Sequence, residues 1–217
     1  MTNDLTLVIG NKAYSSWSLR PWLALMQAGA TFQEILIPLD QPDTATAIRH
    51  HSPTGRVPLL RHGAITVWES LAICEYVAEL FPAAGLWPED AAPRALARAL
   101  ACEMHAGFAA LRHDMPMNLK HRFPGQGRTP ATLADIARIT TCWLEARARF
   151  GGDGPFLFGR FSIADAMFAP VCTRFMTYAV DLPAAAQAYV DAILALPALQ
   201  AWMRAADAEP WDLGDHR

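Results

Sequence analysis

The sequence is short of charge and has no cysteine pair at redox or metal spacing. Only 18% of its 217 residues are Asp, Glu, Lys or Arg, against 53% hydrophobic, which excludes the disordered class and gives the chain enough apolar material for a core. The 21 acidic and 18 basic residues sum to a formal charge of −3 and are scattered, so there is no basic field for nucleic acid and no polybasic membrane patch. Cys74, Cys102, Cys142 and Cys172 form no C-x-x-C pair. Each lies in an apolar, helix-like stretch and reads as a core thiol of a reducing compartment. His50, His51, His113 and His121 lack companions at metal-ligand spacing, and no metal is assigned. No apolar run reaches membrane-spanning length, and MTNDLTLVIG has neither the basic start nor the apolar stretch of a secretory leader. The expectation is a cytoplasmic protein.

Two styles of sequence follow one another. In the first, β-type runs at 5–9 and 32–39 flank a helical pattern at 17–28 that closes on Gly29, which predicts a right-handed parallel βαβ unit. A short helix at 44–51 leads to brief strands at 57–60 and 64–67 about His62-Gly63, read as a hairpin. A largely buried helix at 69–81 follows, with Glu75 and Glu79 on its wet side. The Pro- and Gly-containing segment 83–93 is read as a linker between a domain at 1–82 and a second at 94–217. Beyond it no strand pattern occurs. Leu96, Leu100, Met104, Phe108, Leu111 and Met115 form one helical stripe, and further helices are expected at 132–150, 163–178, 184–194 and 198–208.

Three constellations carry chemistry. Tyr14-Ser15-Ser16-Trp17-Ser18-Leu19-Arg20 joins the first strand to the first helix. Its serines can serve as helix caps. They can equally line an anion site, where the helix dipole and a hydroxyl favour a bound thiolate. Arg56-Val57-Pro58-Leu59 opens a strand on proline. A cis Val57-Pro58 bond would present the Val57 backbone to a peptide-like ligand, which could pair with it as an added strand. Trp68-Glu69-Ser70 stands at a helix start, where a carboxylate and a hydroxyl either cap the helix or hold the ammonium and carboxylate of an amino-acid end.

Together, at these spacings, the three resemble the glutathione transferase family over the whole chain. The resemblance implies an α/β thioredoxin-like N-terminal domain that binds glutathione and an all-α C-terminal domain that contributes a second-substrate pocket. SSWSLRPWLAL is similar to the SSCSWRVRIAL-type motif of the zeta class, whose members include maleylacetoacetate isomerases. That match puts the thiol-activating role on Ser15, while alignment to other serine-type classes favours Ser16. Trp17 stands where zeta and related classes carry a cysteine, a departure that weakens the isomerase assignment. Arg56, Val57, Pro58, Glu69 and Ser70 fall on glutathione-binding positions.

Trp17, Met104, His105, Phe108, Arg112, Met115 and Met117 are candidates for the second-substrate pocket. Arg174 lies about one turn from where zeta members place an arginine for a substrate carboxylate. Gly159-Arg160-Phe161-Ser162-Ile163-Ala164-Asp165 resembles the family's capping motif and is read as folding, not catalysis. The expected activity is detoxifying addition of a glutathione thiolate to an electrophile by a homodimer, with glutathione as co-substrate. A glutathione-dependent isomerase of the maleylacetoacetate type and a non-enzymatic binding protein of the same fold are the alternatives. A thiol-disulfide oxidoreductase would need a cysteine at the helix start.

Overall fold

A computed structural model of the chain describes residues 4–214. Its first half is a sheet of order β2-β1-β3-β4. β1 (Leu5–Ile9) is central, parallel to β2 (Gln33–Leu36) and antiparallel to β3 (Leu59–His62), which pairs with β4 (Ile65–Trp68). The alternation of β1 explains why both faces of the sheet are covered. Leu5, Leu7 and Ile9 join the main core under α1 (Ser16–Gln27) and α3 (Ser70–Leu80), whereas Val8 packs with Leu59, Ile37 and Ile48 of α2 (Thr44–His51) on the other side.

β1 ends at Gly10, where the backbone runs against Leu39; a Cβ at this position would lie 2.9 Å from Leu39 Cδ1. Asn11 Oδ1 accepts from the Leu39 N–H at 2.6 Å, tying the strand's exit to the start of the α2 region. The expected strand at 57–60 begins only at Leu59, because Pro58 has no N–H for the ladder. Val57-Pro58 is cis, as anticipated.

The C-terminal half is helical: α4 (Ala91–Ala106), α5 (Ala109–Asp114), α6 (Pro130–Phe150), α7 (Ile163–Tyr178), α8 (Ala184–Leu194) and α9 (Pro197–Asp207). All of α7 except Met176 is buried, and it packs against α1, α4 and α8. Its start carries the expected capping box, with the Ser162 N–H and Oγ each donating to Asp165 Oδ2 at 2.8 Å. Leu157 N–H donates to the other oxygen at 3.1 Å. Burial nonetheless pushes the Asp165 carboxyl up to about 6, the hydrogen bonds opposing it.

Two expectations are corrected, the single helical stripe and the burial of every cysteine. The stripe at 96–115 is two helices, because Gly107 ends α4 and Phe108 takes a left-handed backbone at φ 60°. Arg112 closes the open end of α4, donating to the carbonyls of Met104, His105 and Gly107. In the segment read as a linker, Pro82–Ala84 form a 3-10 turn at its start and α4 has begun by Ala91. Pro93 sits in the first turn of that helix, where its missing donor costs nothing. Of the four cysteines, Cys102 is exposed rather than in the core.

Candidate functional site

Two adjoining clefts open at the N-terminal end of α1. The smaller, about 310 Å³, lies between Trp17, Thr54, Val57-Pro58, Glu69-Ser70 and His105. The larger, about 710 Å³, runs from Tyr14, Ser15 and Ser16 past Arg112 and Met117 to Arg174. Trp17, Arg56 and Val57 wall both. A cavity of about 400 Å³ beside Trp87, Phe150 and Phe158 contains none of the predicted site residues.

The two serines have different surroundings. Ser15 is the N-cap of α1: its Oγ accepts from the Ser18 N–H at 3.3 Å and donates to Ser18 Oγ at 2.7 Å. Its proton is thereby committed within the turn, and Ser18 Oγ in turn accepts from the Gly10 N–H at 3.1 Å. Ser16 Oγ accepts from Arg174 Nη2 at 3.2 Å, and among the described residues nothing accepts its proton. A hydroxyl that accepts from a guanidinium is polarised to donate more strongly on its free side.

Glu69 is the residue before α3, yet its side chain makes no capping hydrogen bond, and its backbone sits at φ 67°. That conformation costs a non-glycine residue on the order of 1 kcal/mol. It leaves the carboxylate exposed at the smaller cleft, 3.7 Å from His105 Nε2. Ser70 is buried, and its Oγ has no partner among the described residues. Both groups are thus free of the capping work that the sequence alone allowed them.

Cations dominate the floor. The Arg20 and Arg112 guanidinium carbons lie 4.2 and 4.6 Å from the Trp17 ring centroid, and the His105 ring meets Trp17 edge-on at 5.3 Å. Burial, then Arg112, pulls Arg174 down to about 9. Arg20 is depressed by burial first and then by Arg112 and Arg174. His105 is lowered by burial and by Arg20, with Glu69 opposing, so its imidazole is neutral at pH 7.

The structure therefore gathers Ser15, Ser16, Trp17, Arg56, Val57, Pro58, Glu69, Ser70, His105, Arg112 and Arg174 along the two clefts. It does not bring Met104 or Phe108 there; both are buried in the main core, as is Met115. Met104 lies on the inward side of α4, and Phe108 and Met115 flank α5 at its two ends, so their periodicity reported the core and not the cleft. Arg174 reaches the site while its Nε is held by the Met115 carbonyl at 2.8 Å. Sequence reasoning missed Arg20, whose signal was a charge four residues after Ser16 on an otherwise buried helical face. It also missed a clasp from residues beyond α9. Glu209 accepts from the Lys12 and Ala13 N–H groups at 2.6 and 3.2 Å, and the Tyr14 hydroxyl meets Asp212 at 3.2 Å.

Residues 14–80 match the family model described as glutathione S-transferase, N-terminal domain, and residues 91–205 match the one described as glutathione S-transferase, C-terminal domain. Among curated proteins, Glutathione S-transferase L1 of Arabidopsis thaliana is 25% identical over 85% of this chain and 70% of its own length. Protein IN2-1 of Zea mays is 28% identical over 76% of this chain, which spans 63% of that protein. Among solved structures, a glutathione transferase homolog from Burkholderia GL BGR1 with bound glutathione superposes with a TM-score of 0.71 at 26% identity, covering 94% of this chain and 99% of that one.

Proposed function

The chain belongs to the glutathione S-transferase family, and on that premise we propose that it binds glutathione across the smaller cleft and activates its thiol at Ser16 for attack on an electrophile held in the larger one. The γ-glutamyl ammonium would pair with Glu69 and its carboxylate with Ser70, while the cysteinyl backbone would pair with Val57 beside the cis peptide. Arg56, exposed at the boundary of both clefts, would take the peptide's far end.

The observation that carries the choice of serine is the contact of Ser16 Oγ with Arg174 at 3.2 Å, set against the committed proton of Ser15. An ordinary thiol titrates near 8.5, and each unit of depression requires about 1.4 kcal/mol of preference for the thiolate. One charge-assisted hydrogen bond from Ser16 is of that size. The thiol proton leaves to solvent, the sulfur forms a bond to the electrophilic carbon, and the displaced group departs with its bonding pair or, in an addition, the neighbouring carbon takes up a proton. No covalent enzyme intermediate is needed, and much of the acceleration is proximity. The strand β4 carries Ile65 and Trp68, 49% and 44% exposed, which supports a homodimer with this edge against a second copy.

The test is a pair of variants assayed with glutathione and a generic electrophile. Ser16→Ala should lower turnover about ten- to hundredfold and raise the pH at which activity appears, leaving glutathione affinity nearly constant. Ser15→Ala should chiefly lower the melting temperature through its lost cap. Full activity in Ser16→Ala with an unaltered pH profile would reject the assignment.

A further inference from the structure

Arg20 lies on α1 one turn beyond Ser16, on the same helical face, and it is completely buried. None of its Nε, Nη1 and Nη2 atoms has a hydrogen-bond partner among the described residues. The titratable groups that face it are Arg112 of α5, Arg174 of α7, His105 of α4 and Cys74 of α3. Three are basic side chains, and burial pushes the Cys74 thiol up to about 12, so it supplies no counter-charge. Glu69 faces His105 instead. The Trp17 indole offers the guanidinium a cation–π interaction, with the guanidinium carbon 4.2 Å from the ring centroid.

A buried cation among cations works against folding, and an apolar side chain of similar length would serve the core better. Arg112 carries charge of the same sign on the same ring, but it also closes the end of α4 through backbone carbonyls. Arg20 has no such task, and Leu19 and Leu23 beside it fill the core in the ordinary way.

We propose that Arg20 is a positioning residue for the thiolate, its unscreened charge acting through the Trp17 indole to hold the sulfur of bound glutathione in the anionic form. The inference rests on the glutathione reading above. When the S–H bond breaks, the proton passes to bulk water and the sulfur keeps the electron pair. A fixed positive charge behind a water-excluding ring then favours the ionised side of that equilibrium. Ser16 supplies the direct hydrogen bond, and Arg20 supplies the field.

The experiment uses the full chain, Arg20→Met and Arg20→Lys, with three readouts: glutathione affinity by calorimetry, the pKa of bound glutathione from its ultraviolet thiolate absorbance, and the thermal midpoint. Arg20→Met should raise the bound-thiol pKa by about one unit, roughly tenfold less thiolate at neutral pH, with a midpoint equal to or above the parent's. Arg20→Lys should restore most of the depressed pKa. An unchanged thiol pKa in Arg20→Met overturns the proposal, and so does a variant that fails to fold, since either makes the arginine a packing element. A parent protein that does not bind glutathione would instead overturn the reading beneath it. One that binds glutathione while the pKa ignores residue 20 leaves that reading intact.

Discussion

Replacing Glu209 with alanine tests whether the residues beyond α9 hold the serine turn. Glu209 is buried, and its two carboxylate oxygens receive the Lys12 and Ala13 amides at 2.6 and 3.2 Å. Trp202 Nε1 donates to the Lys12 carbonyl at 2.8 Å, so the turn is gripped through both polarities of its backbone. Alanine leaves two amides without an acceptor, each worth about 1–3 kcal/mol when buried. Because Lys12 is partly exposed, the lower half of that range applies to its amide and the whole range to Ala13, giving about 2–5 kcal/mol in all. For a chain of this size the thermal midpoint should fall by about 4–20 °C. Glu209→Gln keeps one accepting oxygen but turns an NH₂ toward the other amide, so it should recover no more than about half. Thermal and urea unfolding followed by circular dichroism are the assays. If both variants melt within about 1 °C of the parent, the amides find water as readily as the carboxylate and the clasp has no anchoring role.

Asp165 sets a pH dependence of unusual sign. Its carboxyl titrates near 3.8 when unfolded and at about 6 when folded, so the native state binds the proton more tightly. Stability from this group is fullest below about pH 4 and declines as pH rises through 6. Asp165→Asn should flatten that part of the midpoint-against-pH curve, and an unchanged slope would assign it to other groups. Met104→Ala, a deletion in the core, should cost about 2–5 kcal/mol while leaving the relative rates with a panel of electrophiles as they were. A changed ranking of electrophiles would return Met104 to the cleft wall.

The order of strands and helices was legible because β1 and the helices of the second half bury continuous apolar faces, and such faces leave their period in the sequence. Glu69, Ser70 and the Val57-Pro58 pair were legible for another reason. Each is a polar or conformationally special residue at an element's start, where its position is fixed by that element's own geometry. The break in the stripe at Gly107 and Phe108 was not legible, because α5 resumes the same inward face and the spacing hardly changes. The surroundings of Ser15 and Ser16 could not be told apart either, since the partner that distinguishes them, Arg174, lies 158 residues away in the sequence. Arg20 was hidden by its company: within an apolar helix a lone arginine reads as the wet side, and only the packing of α3, α4, α5 and α7 around it removes the water.

The clasp joins residues separated by 196 and 197 positions, and this has a bearing on how the protein comes into being. During synthesis the serine turn leaves the ribosome long before its anchor, which follows it by 196 and 197 positions. Helix α1 and the sheet can assemble early from local contacts, but the Lys12 and Ala13 amides must wait for Glu209. A nascent chain thus carries the serine turn without its acceptor until Glu209 has been made, and the turn is tightened only when both halves of the structure are available to fold. Truncated products left by interrupted translation would have the sheet and most of the helices, but not the finished turn.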